Sequence, residues 1–323
     1  MHARSKLLIG IVTAVLTMSA AVAAQTWPTK PLRLLVPFPP GGVTDAFARI
    51  VSTKLGAALG QPVVIDNRPG GSTIIATREV VQATPDGYTL LVGVTQLAIN
   101  PAMQGDLPYD ALKQLEPIVQ LGDVTGFVAV HNSHPAKTLK DLIQMGSKAE
   151  VLVAIPGIAS PYHVVLELLN QKARTKFVIV GYKGSGDSIK EVVGGHVPVT
   201  VDGVVSLVPY LKAGKLRGLA VLGRERSPDL PDIPTTAELG MPDVVISAFV
   251  GLMAPAGTPR AIINRVNKEV NVILKQPETA AQARNFGLGL VGGSVADFKA
   301  TLEKTTKIYA DVIKAAGIKP VKN

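Results

Sequence analysis

Short aliphatic runs alternate along the chain with stretches whose apolar residues recur every three or four positions. Residues 32–36 form the first run, and in 45–59 Phe47, Ile50, Val51, Leu55, Ala58 and Leu59 fall on one helical face. Gly60 ends that helix. A second strand is expected at 62–65, a second helix at 72–83, a turn at Pro85-Asp86-Gly87 and a third strand at 88–93. Helices long enough to serve as crossovers predict a parallel sheet covered on both faces.

The same alternation restarts further along. Strands are expected at 151–155, 176–180, 197–201 and 216–222, and helices at 160–171, 187–193 and 206–213. Residues 226–241 are rich in proline and acids without a period, as a surface loop is, and 244–253 reads as extended. Helices are expected at 259–274, 277–286 and 295–316. Three consecutive helices cannot complete a second sheet, so the chain is expected to return to the first. Crossings near 124–130 and 247–253 then give two doubly wound α/β lobes joined by a two-crossing hinge: 25–126 with 250–323, and 127–249.

Composition agrees with two cores. The chain has 323 residues, of which 47% are apolar but only 4% aromatic, so Val, Leu, Ile and Ala must fill the interior. The start of the chain stands apart: a basic segment with Arg4 and Lys6, an apolar run over 7–20, and small residues at 21–24. This is the pattern of a signal peptide cut after Ala23 or Ala24. The run is shorter than the roughly 20 residues a spanning helix needs; an uncleaved anchor is the alternative. Export through such a segment is expected to deliver the protein to a bacterial, Gram-negative periplasm. No cysteine is present, so neither a disulfide nor a cysteine-linked lipid anchor is available.

The +9 net charge falls by two, to +7, without the leader's Arg4 and Lys6. Lys and Arg are scattered and do not form a stripe interleaved with aromatics, which speaks against a nucleic-acid partner and leaves acidic solutes open. Enzyme signatures fail. Of the five histidines (His2, His131, His134, His163, His196) only His131 and His134 are close, with no Glu or Cys beside them to complete a metal site. "GGSTI" at 70–74 lacks the glycine of a nucleophile elbow. "GLGLVG" at 287–292 matches G-x-G-x-x-G but follows a helix near the C-terminus without a β-α-β unit, so it reads as a connector into the helix that Ser294 starts. No catalytic residue, metal ligand or cofactor is expected.

Four glycine turns precede helices: "PFPPGGVTD", "NRPGGSTI", "PGIASPYH" and "YKGSGDS". Gly41 and Gly42 open the first, Ser72 and Thr73 add hydroxyls at the second, and Ser160 is a good N-cap followed by Pro161 at the third. Unpaired N–H groups and the helix dipole favour an anion at each start. Strand C-terminal ends share one edge of a doubly wound sheet. Two facing lobes would therefore aim all four turns into one cleft, where a small di- or tricarboxylate could be held by backbone amides. Asp45, in the first helical turn, either braces its loop or touches a positively polarised part of the ligand. Asp202, after the strand ending at Val201, either caps the next helix or contacts ligand.

The segments "VPFPPGGVTDAFAR", "LGQPVVIDNRPGG", "PDGYTLL", "AINP", "LPYD", "YKGS", "LKAGKLRGLAV", "RSPDLPDIPT" and "APAGTP" span nearly the whole chain after the leader. In this order they resemble the Bug-type solute-binding receptors of tripartite tricarboxylate transporters. The resemblance implies a periplasmic binding protein fold of type II-like design that closes on a small carboxylated solute. It also implies membrane permease subunits as partners, a monomeric receptor and no enzymatic chemistry; a membrane sensor is the alternative partner. It places ligand contacts at Phe38, Pro40, Gly41, Gly42, Thr44 and Asp45, and at Thr95 and Gln96. In the second lobe it places them in the loop holding Ala159, Ser160 and His163, at Tyr182, Lys183 and Gly184, and at Asp202. The chain departs from the family pattern at "RPGGST", "VGVTQLAIN", "GYKG" and "SAFVGLMAP".

Overall fold

The computed structural model describes residues 27–227, 229–246, 248–285 and 289–320. The leader expected at 1–24 lies outside the described residues. Among them, no helix is long and apolar enough to cross a membrane.

The first lobe is built on β1 (Leu32–Val36), α1 (Val43–Leu59), β2 (Val63–Asn67), a 3-10 turn (Gly71–Thr73) running into α2 (Ile74–Val81), β3 (Thr89–Val94), α3 (Gln96–Met103), α4 (Ala111–Gln114) and β4 (Leu115–Val124). Thr125 alone separates β4 from β5 (Gly126–His131), which belongs to the other sheet. There follow α5 (Leu139–Lys148), β6 (Glu150–Ile155), α6 (Pro161–Ala173), β7 (Lys176–Gly181), α7 (Ser185–Val193), β8 (Val199–Gly203), α8 (Val204–Lys212) and β9 (Leu216–Leu222). The chain returns to the first sheet with β10 (Ala248–Pro255) and ends in α9 (Arg260–Leu274), α10 (Pro277–Asn285), β11 (Gly289–Gly292) and α11 (Val295–Ala315).

The sheets run β11-β4-β10-β3-β1-β2 and β7-β6-β8-β5-β9. Aliphatic strands fill both, as the composition requires. Phe47, Val51 and Leu55 of α1 are fully buried on one face, and Gly60 closes that helix in the left-handed conformation. The C-terminal helices pack on the first sheet, α9 against α1 and β4, and α11 against α3 and β4.

Three expectations change. Neither sheet is purely parallel: β10 runs antiparallel to β3 and β4, and β5 antiparallel to β8 and β9. A strand that has just crossed between lobes enters its new sheet from the hinge end, and hydrophobic periodicity carries no record of direction. The helix expected from residue 72 begins only at Ile74, because Ser72 and Thr73 hold left-handed backbone with φ of 50° and 76°. Finally, Gly289–Gly292 is an edge strand paired with β4, where the sequence suggested a connector. The approach is close enough that a Cβ on Gly122 would collide with the Gly289 carbonyl oxygen and the Phe47 ring. The following helix does start at Ser294, whose hydroxyl and Asp297 form a reciprocal capping box.

Candidate functional site

A cleft of about 230 Å³ lies where the two sheets face each other across the hinge. Its walls come from strand C-terminal ends and the residues just beyond them. Phe38 to Pro40, Gly42 and Thr44 follow β1, Thr95 and Gln96 follow β3, Pro156 follows β6, and Gly184 to Asp187 follow β7. The hinge supplies Val124, Ala248, Phe249 and Val250.

Two helix N-termini open onto this space from opposite lobes. Gly42 is the N-cap of α1 and Gly184 that of α7, and neither start has a side-chain cap. Glycine at these positions leaves first-turn amides without the oxygen that Ser, Thr, Asn or Asp would provide. A Cβ on Gly42 would meet nothing within 4 Å, so that turn faces open space.

The other two glycine turns meet each other beside the cleft. Ser72 Oγ donates to the Ile158 carbonyl at 2.9 Å, and Asn100 Nδ2 donates to the Ser72 carbonyl at 3.0 Å. Ser160 Oγ caps the His163 amide at 3.3 Å, while the Ala159 amide donates to His163 Nδ1 at 3.1 Å. These polar atoms are committed to bonds within and between the two loops. Thr73 and Ala159 are buried. None of Ser72, Thr73, Ala159, Ser160 and His163 lines the cleft, although Pro161 and Tyr162 of the same loop do.

Asp45 is buried and accepts from the Gly41 amide at 3.0 Å, Arg49 Nε at 2.7 Å and Asn67 Nδ2 at 3.2 Å. Burial pushes its pKa up, but the bonds from Arg49, Gly41 and Asn67 outweigh that and hold the carboxyl below its ordinary range. It braces the β1–α1 turn and takes up the Gly41 amide, leaving Gly42 and the turn after it open.

Asp202 is fully buried beneath α7. It accepts from Ser185 Oγ at 2.7 Å, Ser188 Oγ at 2.8 Å and the Gly203 amide at 2.7 Å. Burial raises its pKa to about 6 against those three bonds. It reaches the cleft through Ser185, which does line it. Thr95 Oγ1 accepts the Phe249 amide at 2.8 Å and so ties the end of β3 to β10. Phe249 is fixed in turn by an edge-to-face contact with Phe298 of α11, centroids 5.4 Å apart.

Of the residues singled out from sequence, Phe38, Pro40, Gly42, Thr44, Thr95, Gln96 and Gly184 line the cleft; Gly41, Asp45, Tyr182, Lys183 and Asp202 do not. Sequence reasoning missed Pro39, Ser185, Asp187, Lys190 and the hinge residue Phe249. Asp187 and Lys190 had a readable signal: they sit three apart on the helix that follows the fourth glycine turn. Among the described residues, no group of three or more His, Asp or Glu is placed to hold a metal ion.

Residues 47–318 match the tripartite tricarboxylate transporter family receptor, TctC. A UPF0065 protein of Bordetella bronchiseptica is 37% identical over 315 residues, 97% of this chain and 93% of that protein. Among solved structures, an adipate-bound R. palustris protein matches with a TM-score of 0.88 at 31% identity, covering 91% of this chain and 100% of that one. The periplasmic binding protein BugD matches with a TM-score of 0.87 at 26% identity, covering 92% and 100%. These two solved structures share this chain's fold over about nine-tenths of its length. The chain therefore belongs to the TctC family of Bug-type receptors of tripartite tricarboxylate transporters, a family of solute-binding proteins and not of enzymes.

Proposed function

We propose that the protein is a periplasmic receptor that captures a small organic carboxylate between the N-termini of α1 and α7 and presents it to the permease subunits of a tripartite transporter. The observation that carries this reading is the pair of helix starts, Gly42 and Gly184, that lack side-chain caps and line one cleft from opposite lobes. An anion between them receives N–H groups and dipole ends from both lobes. Each charge-assisted bond contributes about 1.5–3 kcal/mol. A ligand bridging the lobes binds the closed arrangement better and shifts the population toward it.

In this reading Phe38, Pro40, Gly42, Thr44, Thr95, Gln96 and Gly184 contact the ligand. Gly41 with Asp45, Ser72 with Thr73, and Ala159 with Ser160 and His163 shape the loops around it. Tyr182 and Lys183 lead into α7, and Asp202 braces its first turn. The moving bodies are 25–126 with 250–323, and 127–249, and the receptor acts as a monomer after loss of its leader. The adipate bound to the R. palustris neighbour supports the ligand class.

Thermal unfolding with a panel of mono-, di- and tricarboxylates tests the reading. A bound member at 100 times its dissociation constant adds about 2.7 kcal/mol of stability. An unmoved transition across the whole panel overturns it.

A further inference from the structure

The polar groups of the cleft are unevenly placed. The open helix starts cluster at Gly42 and Gly184. Among the described residues that line the cleft, Lys190 is the only side-chain cation and Asp187 the only acid. Lys190 makes no ion pair among the described residues, whereas Lys54, Lys172, Lys212 and Lys307 elsewhere on the surface each find a carboxylate. A solvated lysine is ordinary on an outer face; this one, exposed as well, lines the cleft between the two lobes.

Lys190 lies five residues along α7 from Ser185, a rise of about 7.5 Å. Helical side chains lean toward the N-terminus, which brings the ammonium back toward the Gly184 turn. Extended chains of four to six carbons, with C–C bonds of about 1.5 Å, set their terminal carboxyl carbons roughly 4–6 Å apart. A diacid of that span, with one carboxylate at the helix starts, can direct its second along α7 toward Lys190.

Resting on the receptor reading above, we infer that Lys190 is the specificity-determining residue that selects a dicarboxylate over a monocarboxylate of the same length. Asp187 sharpens the requirement. Its charge, one turn nearer the helix start and without an ion-pair partner among the described residues, opposes a lone carboxylate there. A second carboxylate paired with Lys190 offsets that opposition.

The test uses adipate against hexanoate and succinate against butyrate, by titration calorimetry on the full receptor. Wild type is expected to prefer each diacid. Lys190→Met should weaken adipate about 10- to 100-fold, the range of a partly desolvated charge pair, and move hexanoate less than threefold. Lys190→Arg should keep the diacid preference. Lys190 is exposed, so an unchanged circular dichroism spectrum checks that the Met variant is folded. Equal losses for both acids, or none, overturn the assignment while leaving the receptor reading intact. A wild type that binds none of the four, and no other carboxylate, overturns both.

Discussion

Gly184 of the second lobe lies against Pro39 of the first: a Cβ on Gly184 would stand 3.1 Å from Pro39 Cδ, across the mouth of the cleft. Gly184 has extended backbone, φ 167°, which any residue can adopt, so the requirement for glycine is set by the opposite lobe. Gly184→Val would wedge the lobes apart at the place where they meet. Overpacking of this kind costs about 1–3 kcal/mol. The closed form should lose that much, and affinity for whichever carboxylate binds should fall about 5- to 150-fold. The ligand-free melting temperature should fall only by the modest cost of a valine N-cap on α7, since neither lobe's interior is touched. Calorimetry with small-angle scattering reads both effects; wild-type affinity in the variant would show that the lobes close without this contact.

The two glycines of the first turn should fail differently when replaced. Gly42 has φ −90° and ψ 177°, and a Cβ there meets nothing within 4 Å. Gly42→Val is therefore expected to fold normally and to abolish binding, because its methyls fill the space in front of the α1 amides. Gly41 has φ +92°, a conformation L side chains rarely adopt. Gly41→Ala should cost about 1–2 kcal/mol of stability through strain. Chemical denaturation of both variants beside ligand titration separates a blocked site from a strained loop. Unchanged affinity in Gly42→Val would remove the first turn from the site.

The Ser72–Ile158 hydrogen bond joins the lobes beside the cleft. Ser72→Ala removes it and leaves the Ile158 carbonyl free to bond water when the lobes part. A neutral hydrogen bond is worth about 0.5–1.5 kcal/mol net, so the closed arrangement should become about two- to tenfold less populated. Affinity should drop by the same factor through faster ligand release, measurable by stopped-flow. A change confined to the association rate would argue against the bond acting as a latch.

Much of this architecture could be read from the chain. The α1 face of Phe47, Val51 and Leu55 and the glycine turns after β1 and β7 are local patterns, and local patterns survive folding. What could not be read is pairing at a distance. Ser72 and Ile158 are 86 residues apart, and nothing in either segment announces that two of the four turns bond each other while the other two stay open. The direction of β5 and β10 is fixed by the lobe each strand arrives from. The pairing of Gly289–Gly292 is decided by the free edge of β4, which four residues without alternation cannot signal. Lys190 is one of many scattered lysines until α7 is turned toward the cleft.

Asp202 should give the protein an unusual pH signature. Its pKa is raised by burial from 3.8 to about 6, so between these values the folded state holds a proton that the unfolded chain releases. Stability from this group is therefore greatest below pH 4 and is lost as pH rises through 6, a total of about 3 kcal/mol at 1.36 kcal/mol per unit. Asp45, and Asp66 of β2, whose burial is outweighed by Arg33 and Arg68 so that its carboxyl is held below its ordinary range, act in the opposite sense and lose stability on acidification. The useful quantity is thus the difference between wild type and Asp202→Asn. Asparagine is uncharged throughout and can still accept from Ser185 or Ser188. The stability of the variant relative to wild type should rise between pH 4 and about 6.5 and then level off. Urea unfolding at half-unit pH steps measures it; a flat difference would mean that the three hydrogen bonds to Asp202 fully offset its burial and that it stays ionised beneath α7.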